Sequence, residues 1–118
     1  MKEVSTNLKY KDEELKLVFN LNAMQVIQEE YGTLDNWGAL TDGKGGEPNI
    51  KALIFGMAAM LNEGIDISNE EKGENKPFLS LKQVGRILTE VGLDKAMSSV
   101  NDTVVKSVKD EDDDSKNE

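Results

Sequence analysis

Leu8 and Tyr10 alternate with Lys9 and Lys11, and Leu15, Leu17 and Phe19 alternate with Lys16, Val18 and Asn20. A period of two belongs to a strand with one buried face, so these runs on either side of Asp12-Glu13-Glu14 predict a short β-hairpin. From Asn22 the period lengthens. Ala23, Met24, Ile27 and Tyr31 share one face of a helix that Asn22 is expected to cap and Gly32 to end. Leu34, Trp37 and Leu40 suggest one further short helical piece, and Thr41–Pro48 reads as a loop. The centre of the chain is Ile50–Leu61, in which no residue from Ala52 to Leu61 is charged or polar. Ile50, Leu53, Ile54, Met57 and Leu61 recur at helical steps. A helix apolar nearly all round must be enclosed by other elements, so this one is placed at the middle of the fold. It is shorter than the roughly 20 apolar residues that cross a bilayer. Pro48 or Asn49 is expected to open it and Gly64 to close it.

Asn62–Pro77 is mostly charged and polar and reads as an exposed connection. Ser80-Leu81-Lys82-Gln83 is a capping box that starts a helix, with Leu81, Val84, Ile87, Leu88 and Val91 as its buried stripe and Gly92 as its stop. A last helix carries Leu93, Met97, Val100, Val104 and Val108 on one face. Past Val108 nothing apolar remains, and Asp110-Glu111-Asp112-Asp113-Asp114 is expected to be disordered through self-repulsion. The predicted fold is mainly α, in the α+β class. It consists of a flexible arm over 1–7, one helical domain with an N-terminal β-hairpin over 8–108, and a disordered acidic tail over 109–118.

Composition narrows the chemistry. The 118 residues contain no histidine and no cysteine. The commonest general base, the thiolate nucleophile and the usual zinc ligands are therefore missing from the inventory. No cofactor and no enzymatic activity are expected. The net charge is −9, of which Lys109–Glu118, with six acids and two lysines, holds −4. That sign disfavours binding to a nucleic-acid backbone. Met1-Lys2-Glu3-Val4 has no apolar signal region, so a cytoplasmic protein with no membrane partner is expected.

Each remaining motif has a plain reading. Asp42-Gly43-Lys44-Gly45-Gly46 is glycine-rich, but its lysine lacks a following Ser or Thr and no strand precedes it, so it reads as a flexible loop rather than a phosphate cradle. Asp66-Ile67-Ser68-Asn69-Glu70 alternates oxygen donors, yet Glu71 stands where a calcium loop needs glycine, and a solvated loop is expected. The neighbouring acids Glu13 and Glu14, Glu29 and Glu30, and Glu70 and Glu71 read as solvated. Trp37, the only tryptophan, either packs in the core or, with Leu34 and Leu40, anchors a partner. The acids Asp110, Glu111, Asp112, Asp113 and Asp114 either solubilise the chain or dock on a basic partner.

The passage Leu15-Lys16-Leu17-Val18-Phe19-Asn20-Leu21-Asn22-Ala23-Met24-Gln25-Val26-Ile27-Gln28-Glu29-Glu30-Tyr31-Gly32, a strand feeding directly into a helix that ends Glu-Glu-Tyr-Gly, resembles the start of the tail assembly chaperones of long-tailed (siphovirus-type) bacteriophages and prophages. The order of the later elements, from Leu8 to Val108, is similar as well. The resemblance implies a chaperone, short form, that binds the tape measure protein and helps recruit tail tube subunits, and that is absent from the mature virion. It leaves self-association into oligomers open. It also implies a longer form made by ribosomal frameshifting. A slip site of the A-AAA-AAC kind encodes Lys-Asn after a codon ending in A, and Ser115-Lys116-Asn117 is compatible with one. Tape measure proteins are long helical chains, and a helical chaperone can receive an amphipathic segment in a groove. A strong negative charge keeps a crowded coat soluble. The alternatives are a head–tail or tail adaptor retained in the virion, or an unrelated small protein-interaction module.

Overall fold

In the computed structural model Val4–Tyr10 (β1) and Glu13–Phe19 (β2) form an antiparallel hairpin, followed by helices Leu21–Tyr31 (α1), Leu34–Thr41 (α2), Ile50–Lys72 (α3), Leu81–Val91 (α4) and Leu93–Lys116 (α5). The structure describes the backbone of residues 1–116 and the side chains of residues 1–108. The tail expected to be disordered, 109–118, with Asp110, Glu111, Asp112, Asp113 and Asp114, lies outside the residues whose side chains are described.

The mainly helical α+β fold with its N-terminal hairpin is present. Val4 pairs with Phe19, Thr6 with Leu17, Leu8 with Leu15 and Tyr10 with Glu13. Two residues, Lys11 and Asp12, make the turn, and Lys11 takes a left-handed φ of 55°. The expected loose arm over 1–7 is corrected here, because its second half, from Val4, is strand β1. Thr6 supplies the β-branched residue opposite Leu17, a partner that a search for apolar alternation passes over.

α3 lies at the centre, with β2, α1, α2 and α4 packed around it, and α5 packs on β1. Ala52, Leu53, Met57, Met60 and Leu61 are buried, as the all-round apolar run requires. Ile50 departs from the expected stripe and is exposed. Asn49 caps α3 by accepting from the Ala52 N–H at 2.9 Å. The expected stop at Gly64 is corrected. The helix continues to Lys72 and ends at Gly73, which has a left-handed φ of 66°. Gly64 is instead a point of close approach, where a Cβ would lie 2.7 Å from the Lys16 carbonyl oxygen of β2. The glycine lets helix and strand backbones touch.

The expected cap of α1 is also corrected. Asn20, not Asn22, caps the helix, its Oδ1 accepting from the Ala23 N–H at 3.1 Å. The Asn22 side chain instead donates to Glu63 Oε2 at 3.2 Å, beside Asn20, which donates to the same oxygen at 2.7 Å. Gly32 ends α1 with φ 86°. The Ser80/Gln83 capping box of α4 is formed from both sides. Val84, Ile87 and Leu88 are buried as expected, but Leu81 is 53% exposed. On α5 the inward face is turned from the expected one. Ala96, Val100, Thr103 and Ser107 are buried, while Leu93 and Val108 are exposed. Thr103 is accommodated by donating its hydroxyl proton to the Ser99 carbonyl at 2.7 Å and accepting from the Thr6 hydroxyl at 2.8 Å.

Between α3 and α4 the chain returns in an extended stretch held by two asparagines of α3. Asn69 donates to the Lys76 carbonyl and accepts from the Lys76 N–H, both at 3.0 Å. Asn62 does the same for Leu79, at 3.0 and 2.8 Å. Each side-chain amide thus completes the two hydrogen bonds that a neighbouring strand would have offered. Asp66–Glu70 accordingly lies within α3 rather than in the expected loop.

Candidate protein-binding site

α2 and α5 border an open groove of about 810 Å³. Local sequence positions α2 on both sides. Thr33 caps it by accepting from the Asn36 N–H at 3.0 Å. At its other end Thr41 is buried, and its hydroxyl bonds the Trp37 carbonyl at 3.1 Å. The glycine-rich segment that follows is tied down. Asp42 Oδ1 accepts from the Lys44 N–H at 2.9 Å, and Asn49 N–H donates to the Leu40 carbonyl at 2.7 Å. Helix α2 precedes this segment, where a phosphate-cradling loop would need a strand.

Trp37 lies under the groove rather than on its rim. It is 1% exposed, and its indole N–H donates to the Ala52 carbonyl at 2.9 Å. Of the two readings of Trp37, core packing is present and the partner anchor is not: its ring is spent on the core, against Gly56 of α3. A Cβ on Gly56 would stand 2.7 Å from Cε2 and 2.8 Å from Nε1 of that ring. Leu34 is half-buried and does line the groove, whereas Leu40 packs on the core and does not. Of the three residues proposed from sequence as anchors, only Leu34 keeps apolar surface in the groove.

The other wall is α5. Val104 is half-buried, Val105 is 58% exposed and Val108 43% exposed, all three lining the groove. Val105 and Asn101 were not anticipated. Their signal was present in the spacing, since 101, 105 and 108 fall on one face, next to the face chosen from the longer valine series. Asp35, Asp42 and Lys44 supply the charged lining. What these groups provide is apolar contact area with carboxylates around it.

A second cleft, of about 690 Å³, lies between β2 and the later turns of α3. Lys16, Lys72 and Lys76 line it together with Glu13 and Glu14, so opposite charges share its walls. The carboxylate pairs read as solvated, Glu13 with Glu14, Glu29 with Glu30 and Glu70 with Glu71, are all exposed. Among the described residues no group of three or more His, Cys, Asp or Glu is placed to hold a metal ion. Among them, too, no helix is long and apolar enough to cross a membrane.

One buried group is electrostatically unusual. The phenol oxygen of Tyr31 is buried without a hydrogen-bond partner among the described residues, with the ring edge-on to Phe55 at 5.6 Å. Burial, and secondarily the Glu30 carboxylate, raises its pKa above the ordinary 10.0. Both causes disfavour the phenolate, so this side chain acts as a packed aromatic. Comparison with protein-family models, with curated proteins and with solved structures gives no match.

Proposed function

We propose that this chain works by holding other proteins and is not an enzyme, and that its role is that of a phage or prophage tail assembly chaperone, short form. It binds the tape measure protein in the host cytoplasm, helps recruit tail tube subunits and leaves before the virion is complete. The family part of this reading rests on the strand-to-helix passage Leu15–Gly32. The observation that supports a binding role is the half-open groove between α2 and α5, whose leucine and valine side chains are left uncovered by the other described residues. A side chain such as Val105, on a helix whose Ala96, Val100, Thr103 and Ser107 face is packed, gains by being covered, at about 25 cal/mol per Å² of apolar surface.

The test is co-expression with a tape measure protein of a long-tailed phage or prophage. The chaperone reading expects the two to co-purify and the mature particles to lack this chain. Stoichiometric recovery from purified virions would instead identify a retained adaptor.

A further inference from the structure

We propose that the groove between α2 and α5 receives a cationic amphipathic helix, about two turns of a partner whose apolar stripe is bordered by Lys or Arg. The inference deepens the binding role proposed above and rests on it, but not on which protein the partner is. The length of the groove comes from its walls. α2 has 8 residues, about 12 Å of axis at 1.5 Å per residue. The lining stretch of α5, from Asn101 to Val108, is of similar length. Two turns of an incoming helix present anchors at i, i+3 or i+4, and i+7, which suits such a span.

The walls also decide the conformation of the occupant. Both are helices whose backbone groups are bonded within themselves, so they offer no strand edge for an extended peptide to join. A segment entering an apolar groove must then satisfy its own backbone, and a helix does. Charge decides the rest. Among the described residues that line the groove, Asp35 and Asp42 stand against the single cation Lys44. The chain that continues past Val108 runs through Lys109 into five consecutive acids, within a protein of net charge −9. Lys and Arg beside the apolar stripe are attracted by this field, and an acidic helix is repelled.

The experiment titrates the full chain into a labelled peptide of about 18 residues, with Leu at i, i+3, i+4 and i+7 and Lys between them, read by fluorescence anisotropy. The controls are a scrambled peptide of the same composition and a version with Glu in place of Lys. Saturable binding by the first peptide alone is expected, weakening as salt rises from about 50 to about 200 mM. The variant Val105→Gln with Val108→Gln keeps charge and helix propensity. Both sites are exposed, so its thermal unfolding should match the parent, and its affinity should fall at least about fivefold. The variant Asp35→Asn with Asp42→Asn should flatten the salt dependence.

Equal binding of the scrambled peptide, undiminished binding by the valine variant, or no saturable binding at all would overturn the proposal. So would concentration-dependent dimerisation of the chain alone that the valine variant abolishes, since a second copy would then fill the groove. Co-expression separates this inference from the chaperone role. Retention of tape measure protein without saturable binding of the peptide would sink the groove and spare the chaperone. Peptide binding without any retention of tape measure protein would do the reverse.

Discussion

Gly56 and Gly64 sit on the same helix and both exist for what they lack. A methyl at Gly56 would enter the ring of Trp37, and one at Gly64 would meet the carbonyl oxygen of Lys16. Overpacking of this kind costs about 1–3 kcal/mol, against about 1 kcal/mol recovered in helix propensity. Gly56→Ala should also strain the indole bond to Ala52, so a net loss of about 2 kcal/mol is expected, with a shift in Trp37 fluorescence. Gly64→Ala should lose about 1–2 kcal/mol. Gly85 is the control: a Cβ there meets only Ile54 Cδ1, at 3.5 Å, so Gly85→Ala should gain about 0.5–1 kcal/mol. Urea unfolding of the three variants measures all of this. Tyr31 gives a second prediction. Its raised pKa means that the folded state holds the phenolic proton more tightly than the unfolded state does. The associated stability is therefore present below about pH 10 and lost as pH rises through the folded value. Tyr31→Phe should lack that alkaline loss and, having removed a hydroxyl without a described partner, should be as stable as the parent near neutral pH. A deficit above about 1 kcal/mol at neutral pH would mean the hydroxyl is bonded after all. These residues also show why sequence reading stopped where it did. A glycine inside an apolar series is the same letter whether it ends a helix or admits a neighbour, and only the neighbour distinguishes them.

Helices whose ends are set by their own residues were legible, and those whose ends are set by distant ones were not. Gly32 and Gly92 stop α1 and α4 as expected, and the Ser80/Gln83 box opens α4. α3 overran its expected end because its last three turns gain from elsewhere: Glu63 accepts from Asn20 and Asn22, and Asn62 and Asn69 hold the returning chain. In the sequence those asparagines look like loop residues, since the amide's usual local partners are in turns and caps. Here they bind backbone 17 and 7 residues away. Asn62→Ala should cost about 2 kcal/mol, because it strands a part-buried N–H and carbonyl of Leu79. Asn69→Ala, at an exposed pair, should cost about 1 kcal/mol. The two lie seven residues apart, about 10 Å along the helix, so the double variant should be additive to within about 0.5 kcal/mol. Chemical denaturation of the four proteins in the cycle checks it. The candidate site was legible only in part for a related reason. Leu34 and the valines of α5 were visible as apolar letters, but α5 buries Thr103, which meets Thr6 of the hairpin, and Ser107, and that choice leaves Val105 and Val108 facing the groove.

At the scale of the molecule the two ends of the described chain depend on each other. β1 packs on α5, and the hydroxyls of Thr6 and Thr103 meet at 2.8 Å across 97 residues of sequence. Removing residues 1–7 should therefore abolish cooperative unfolding, where a loose arm would be dispensable. Near-ultraviolet circular dichroism of the shortened chain, flat or native, decides between them. Composition could not have indicated this contact, since two threonines carry no apolar signal and nothing local pairs them. The pairing of first strand with last helix also sets an order of events during synthesis. At about 5–20 residues per second the nascent hairpin waits roughly 5–20 s for its partner to be translated. Until the exit tunnel releases α5, the face of β1 around Thr6 lacks the helix that packs on it. Any helper or companion chain that meets this protein on the ribosome before α5 emerges therefore meets the hairpin without that helix.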